Sequence, residues 1–237
     1  MIVAIDGPAG SGKSTAARNL ARRLGLVYIN TGAMYRAVAL VALETRTDLR
    51  DEEKLAAIAR SIDIRFEHQG DETRYVVNGR DRTADLFSAA LTEKLAPIVN
   101  SPRVRSVLVE RMREMARGKD VVMEGRDIGT VVFPDADHKF YLKADIAERA
   151  RRRAAELLAR GENVDIEAIR ERIAARDEID RSRTTGPLAR ADDAIEVDTS
   201  RLTAKQTLEC LLEHIKTGRK GGTADRQGDS PCGCRRK

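Results

Sequence analysis

The chain has 237 residues, 41% of them apolar, which suits one large domain or a core domain with small insertions and excludes a wholly disordered protein. Its formal net charge of +5 is uneven: residues 218–237 carry +4 and residues 1–217 only +1, with no Trp and four each of Tyr and Phe, so a polynucleotide partner is not expected. No apolar stretch approaches the ~18 residues of a bilayer span and the first residues lack a basic leader, so a soluble cytoplasmic chain without a membrane partner is expected.

Residues 1–6 read as a short buried strand, and residues 13–24 as an amphipathic helix with Ala16, Ala17, Leu20, Ala21 and Leu24 on one side. Between them Gly7-Pro8-Ala9-Gly10-Ser11-Gly12-Lys13-Ser14 matches G-x-x-x-x-G-K-[ST] in the strand, turn and helix context that this chemistry requires. Backbone N–H groups turn inward around phosphate oxygens there, Lys13 reaches the terminal phosphates of a nucleoside triphosphate, and the Ser14 hydroxyl can ligate Mg²⁺. Switches, motors and kinases share this loop. The chain has no Asn-Lys-x-Asp and no Asp-x-x-Gly after its third core strand, which disfavours a guanine-nucleotide switch.

A second short strand at residues 27–29 precedes helical stretches at 34–43 and 52–60. The pattern then changes to a β-hairpin, 62–67 and 74–78 with its turn at 68–72, followed by helical segments at 88–99 and 102–116. Residues 62–105 are a candidate subdomain inserted in the core. Apolar runs at 121–123, 140–142 and 195–197 complete five candidate parallel strands, an α/β core with helices on both faces.

Glu124, Arg126 and Asp127 follow the third core strand, at the carboxyl edge where open α/β sheets bind ligands. Arg126 suits a phosphate. Asp127 suits a base for an acceptor hydroxyl, a metal ligand, an acceptor for an exocyclic amine, or a simple cap. Glu124 suits a metal-bound water or a strand-end charge. A basic helical arm spans 146–160 and a second helix runs through Asp180, in the manner of a flap. Its Arg149–Arg153 run reads either as a solvated face or as a lid over phosphates. Arg176, Asp180 and Arg183, at i, i+4 and i+7, share one helix face, as a surface ladder or as part of a closing site. Residues 218–237 read as a disordered basic tail, and its Cys232 and Cys234, with Cys210, make no disulfide framework.

The motifs at residues 5–14, 30–36 (Asn-Thr-Gly-Ala-Met-Tyr-Arg), 101–105 (Ser-Pro-Arg-Val-Arg), 125–134 (Gly-Arg-Asp-Ile-Gly-Thr-Val-Val-Phe-Pro) and 176–181 (Arg-Asp-Glu-Ile-Asp-Arg) together resemble the bacterial cytidylate kinases over residues 1–217. The resemblance implies a phosphate-loop kinase core at 1–61 and 106–217, a lid near 149–165 and a CMP-binding insertion at 62–105. It implies an ATP-dependent CMP and dCMP kinase with Mg²⁺ as cofactor, acting in pyrimidine nucleotide metabolism as a monomer, with UMP or a small metabolite as the alternative acceptor. ATP would be held by residues 7–15, Gly7 through Thr15, and by Arg149 and Arg153. CMP would be held by Thr31, Arg36, Arg105, Arg126, Asp127, Arg176, Asp180 and Arg183. Arg105 and Asp127 would read cytosine, Arg176 and Asp180 the sugar, and Arg36, Arg126 and Arg183 the phosphate. Lys13, Arg126 and Arg183 would carry catalysis, with Ser14 on the metal and Glu124 reaching it through water. Ala96 stands where some relatives carry a base-contacting serine, which bears on the rejection of UMP.

Overall fold

The computed structural model describes residues 1–69, 72–159 and 161–218. Gly70 and Asp71 of the expected hairpin turn, Arg160 of the arm, and the tail beyond Gly218 with Cys232 and Cys234 lie outside the described residues. The chain divides into two compact units, one formed by Met1–Val27 with the chain from Lys119 onward and the other by Tyr28–Gly118.

In the first unit, β1 (Ile2–Asp6) is apolar through Ile5 and buried along nearly its whole length, as an interior parallel strand must be. Helix α1 (Lys13–Leu24) buries Ala16, Ala17, Leu20 and Ala21, the face the periodicity predicts. It stops at Gly25, which adopts a left-handed φ of 68° and returns its N–H to the Ala21 carbonyl. Strand β2 (Val27–Asn30) follows, with Val27 the last residue of this stretch and Tyr28 the first of the second unit.

The second unit continues with α2 (Thr31–Glu44), which starts three residues before the expected point because the Asn30 side chain caps the Ala33 N–H at 3.2 Å. Helix α3 (Glu52–Ser61) is capped by Asp51. An antiparallel sheet of β3 (Ile64–Gln69), β4 (Glu72–Val77) and β5 (Arg80–Asp81) comes next. The third strand was not anticipated, although its signal was present: Asn78-Gly79, both at positive φ (48° and 77°), is a favoured two-residue hairpin turn. The helix expected across 88–99 is broken. Beyond the short α4 (Thr83–Leu86), α5 (Ala89–Glu93) ends before α6 (Ala96–Asn100), because Pro97 offers no N–H and its ring clashes with a continuing turn. Helix α7 (Pro102–Ala116), capped by Ser101, completes the unit.

Back in the first unit, β6 (Val121–Gly125) is wholly buried and runs into one wide helical turn, Ile128–Val132. Strand β7 (His138–Lys143), α8 (Ile146–Leu158), α9 (Ile166–Ser182), β8 (Ile195–Asp198) and α10 (Ala204–Lys216) follow. The five expected strands form one parallel sheet in the order β2-β6-β1-β7-β8. Register matters for function: Asp6 pairs with Gly125 on one side and Tyr141 on the other, so the glycine turn after β1 and the Arg126-Asp127 segment after β6 leave the sheet at the same level. Among the described residues no helix is long and apolar enough to cross a membrane.

Candidate active site

The turn from Gly7 to Gly12 links β1 to the first residue of α1. Gly7 is obligatory: its φ is 146°, and a Cβ there would meet the Leu142 carbonyl oxygen at 2.0 Å. Lys13 is buried, and its Nζ donates to the Pro8 carbonyl at 2.6 Å, curling the side chain back over the loop. Burial pulls the Lys13 ammonium down to about 7, with Arg126 acting in the same direction and Glu124, Asp6 and Asp180 opposing. Ser14 Oγ donates to Glu124 Oε1 at 2.6 Å. Two residues singled out separately, for a metal and for its water, are thus brought together as a hydroxyl and a carboxylate. Such hard oxygen donors are those Mg²⁺ prefers, so the donor set fits that ion. Thr15 is exposed on the first turn of α1.

At the carboxyl edge of β6, Asp180 is wholly buried and is the centre of an arginine cluster. Arg126 Nε donates to its Oδ2 at 2.7 Å, Arg183 donates to its Oδ1, and Arg176 Nε lies 3.8 Å from Oδ1. Burial would push the Asp180 carboxyl up, but Arg126, Arg183 and Arg176 overcome it and hold the pKa below the usual carboxylate value. Arg176 and Asp180 share a face of α9 as expected. Arg183 arrives differently: the helix ends at Ser182, and Arg183, extended at ψ 135°, folds its guanidinium back. Asp127 is buried at the head of the wide turn, where its side chain makes no capping hydrogen bond.

The remaining acceptor candidates belong to the second unit. Thr31 opens α2 and is buried. Arg36 donates to the Leu86 carbonyl (2.9 Å) and Thr92 Oγ1 (2.8 Å), with its guanidinium 5.5 Å from the Phe87 ring centre. Arg105 is buried, stacks 5.6 Å from the Tyr35 ring centre and donates to the Val99 carbonyl at 3.4 Å.

On α8, Arg149 is buried and joins three segments: its Nε donates to the Ala144 carbonyl, and its Nη1 to the Ala9 carbonyl (3.2 Å) and to Asp177 Oδ2 (2.6 Å). Arg153 turns its guanidinium to Glu156, near the surface. Two contributors, Thr199 and Asp6, escaped the sequence reading, and Arg152, read only within the Arg149–Arg153 run, has specific partners. Arg152 donates to the Thr199 carbonyl at 2.6 Å, and Thr199 Oγ1 donates in turn to the Ser11 carbonyl at 3.0 Å, bracing the glycine turn from below. Thr199 sits in no motif. Asp6 is a carboxylate pushed up to about 7, chiefly by burial, while it accepts the N–H groups of Gly129 and Ile128. Its signal was a lone charge closing an apolar strand.

A parallel sheet with a lysine-bearing glycine turn at one strand end, a hydroxyl–carboxylate pair beside it and an arginine cluster at the next strand defines a phosphate-loop phosphotransferase. Residues 3–217 match the family of cytidylate kinases. The cytidylate kinase of Caldanaerobacter subterraneus subsp. tengcongensis is 45% identical over 219 residues, spanning 92% of this chain and 96% of that protein. The one from Geobacillus kaustophilus is 45% identical over 213 residues, 90% of this chain and 95% of its own length. The chain therefore belongs to the cytidylate kinase family. A solved structure of an uncharacterized protein from Eubacterium ventriosum shares the fold, with a TM-score of 0.51 at 12% identity over 92% of this chain and 99% of that one.

Proposed function

We propose that the protein transfers the γ-phosphoryl group of ATP to CMP or dCMP, giving CDP or dCDP and ADP. Membership of the cytidylate kinase family supports this reading. The observation that carries it is the set of guanidiniums gathered on Asp180 at the sheet edge next to the Lys13 loop. A nucleoside monophosphate has a second phosphate pKa of about 6, so at neutral pH its dianion is already a competent nucleophile and needs no general base. The difficulty is electrostatic, because two anions must meet in line, and fixed cationic donors in a dry site answer it.

In this reading Lys13 leaves the Pro8 carbonyl for the terminal phosphates of ATP, while the backbone of residues 7–15 cradles them and Arg149 and Arg153 serve the lid near 149–165. Arg36, Arg126 and Arg183 receive the phosphate of CMP, Arg176 and Asp180 its sugar, and Arg105 and Asp127 its base, with Thr31 alongside and residues 62–105 forming the acceptor-binding insertion. A carboxylate at Asp127 accepts from cytosine N4, where uracil presents an oxygen and is refused. Ser14 and, through water, Glu124 would hold Mg²⁺, which when bound supplies charge neutralisation between the phosphates. The chain is proposed to work as a cytoplasmic monomer in pyrimidine nucleotide metabolism. Steady-state ADP formation with CMP, dCMP, UMP and AMP in parallel tests the assignment: CMP and dCMP are expected to be used well and UMP poorly. No CDP from CMP, ATP and magnesium would overturn it.

A further inference from the structure

Strand β1 delivers one charged side chain to the interior of the first unit, Asp6, at 5% exposure. Its two carboxylate oxygens are divided between two backbone donors: Oδ1 accepts the Ile128 N–H at 2.9 Å and Oδ2 the Gly129 N–H at 2.7 Å. These are the opening donors of the Ile128–Val132 turn, the groups that a capping side chain ordinarily satisfies. Asp127 stands in the capping position, at φ −143° and ψ 26°, yet its side chain makes no capping bond. The cap is supplied instead by a residue of the neighbouring strand.

The seat is close. A Cβ on Gly129 would lie 3.4 Å from Asp6 Oδ2 and 3.2 Å from Lys139 Cδ, and Lys139 itself is fastened to the Pro134 carbonyl and to Asp193. Asp6 is also bonded covalently to Gly7, so a single residue links the start of the glycine turn to the segment carrying Asp127. Two hydrogen bonds to adjacent amides fix both the position and the tilt of that turn, which one bond could not do. We propose that Asp6 is a positioning residue for acceptor selection, holding the Ile128–Val132 turn so that Asp127 is aimed at the acceptor's base. This rests on the reading of Asp127 as the group that recognises cytosine.

The test is the ratio of kcat/KM for CMP to that for UMP, measured in Asp6→Asn, Asp127→Ala and the double variant. Asparagine keeps the shape of Asp6 but presents a donor where one amide needs an acceptor. Asp6→Asn is expected to lower the ratio about tenfold, mainly through the KM for CMP, with the KM for ATP within about twofold of wild type. In the Asp127→Ala background it should change the ratio no further, because the group it aims is gone. An unchanged ratio in Asp6→Asn beside a lowered one in Asp127→Ala, a loss confined to ATP, or additivity in the double variant would each overturn the role. An unchanged ratio in Asp127→Ala would overturn the base-reading assignment and the role of Asp6 with it, and it is told apart by the variant in which it occurs. Should Asp6→Asn fail to fold, the wild-type chain answers by NMR: the Ile128 and Gly129 amide resonances should both follow titration of the Asp6 carboxyl and should respond more to CMP than to UMP. Failure of either response refutes the proposal.

Discussion

Acidic and basic side chains pair in both units, but with opposite physical meaning. Along the small sheet of the second unit, Arg65 meets Asp63 and Arg74 meets Asp81 with side chains 39 to 67% exposed, where water screens the charges and competes for every donor. In the first unit the Arg149–Asp177 pair and Asp180 with Arg126 and Arg183 are largely withdrawn from water. There each charge depends on its partner, since an ion left alone in that setting has no solvent to fall back on. The exposed pairs decorate a sheet held by its backbone ladder and apolar face. In the proposed reading the buried ones keep guanidiniums oriented in advance of an anionic ligand.

The largest break in this contrast is expected at Lys13. Lys13→Ala should lower kcat by on the order of 10³-fold, because a charge placed against the transferring phosphoryl group is lost where no solvent can replace it. The melting temperature should not fall, since the variant also removes a buried ammonium whose pKa is already depressed. Turnover near wild type would dissolve the distinction between the two units.

Asp180→Ala tests the buried cluster as structure. It leaves Arg126, Arg176 and Arg183 facing one another without their shared counter-ion, and a loss of about 3 to 5 kcal/mol in urea unfolding is expected. The native carboxyl is held below its ordinary value, so its contribution is present above about pH 4 and fades as pH falls through the folded pKa. A loss no larger than that of an exposed pair would show the cluster to be solvated.

What the sequence made legible divides along the same line. The Lys13 loop, its strand and its helix are local, encoded within residues 1–24, and were readable from spacing alone. The Arg126-Asp127 and Arg176-Asp180-Arg183 sets were readable as candidates, but their convergence on one carboxylate spans more than 50 residues and belongs to the sheet order. Thr199 was unreadable as a contributor because its partner lies 188 residues away and is a backbone group, and Asp6 offered only a lone charge at the end of an apolar strand, its partner amide 122 residues away. The broken helix at Pro97 and the third strand after Asn78-Gly79 are different. Proline and an Asn-Gly turn are local signals: at Pro97 the helical period outweighed the punctuation, whereas Arg80–Asp81, two charged residues, carries no apolar alternation to mark a strand.

Lys13 also sharpens the contrast through pH. Burial pulls its ammonium down to about 7 against the opposing carboxylates of Glu124, Asp6 and Asp180, and a triphosphate placed against Nζ would raise it again. Calorimetric ATP binding at pH 8 in buffers of different ionisation enthalpy should therefore reveal uptake of up to about one proton, shrinking below pH 6 where the free side chain is already protonated. Lys13→Ala should abolish most of that uptake.

The smallest effect is expected at Arg74, and the reason lies with its neighbour. Asp81 Oδ1 accepts both the hydroxyl of Thr83 (2.7 Å) and its N–H (3.0 Å), whereas Arg74 reaches only Oδ2, at 2.9 Å. The Thr83 hydroxyl and amide, ahead of Arg74, hold the Asp81 carboxyl down to about 2. Removing the arginine leaves the stronger holders in place, so Arg74→Ala should move the melting temperature by less than about 1 °C. Thr83→Val takes away the hydroxyl bond and should raise the Asp81 pKa, measured by NMR titration, more than Arg74→Ala does. Because the carboxyl is depressed in the folded chain, its stabilising effect is present above about pH 4 and is lost as pH falls toward 2. That acid limb should survive Arg74→Ala and flatten in Thr83→Val. The reverse order would mean that the exposed ion pair outweighs the short-range hydrogen bonds beside it, and that the two units differ less than their burial implies.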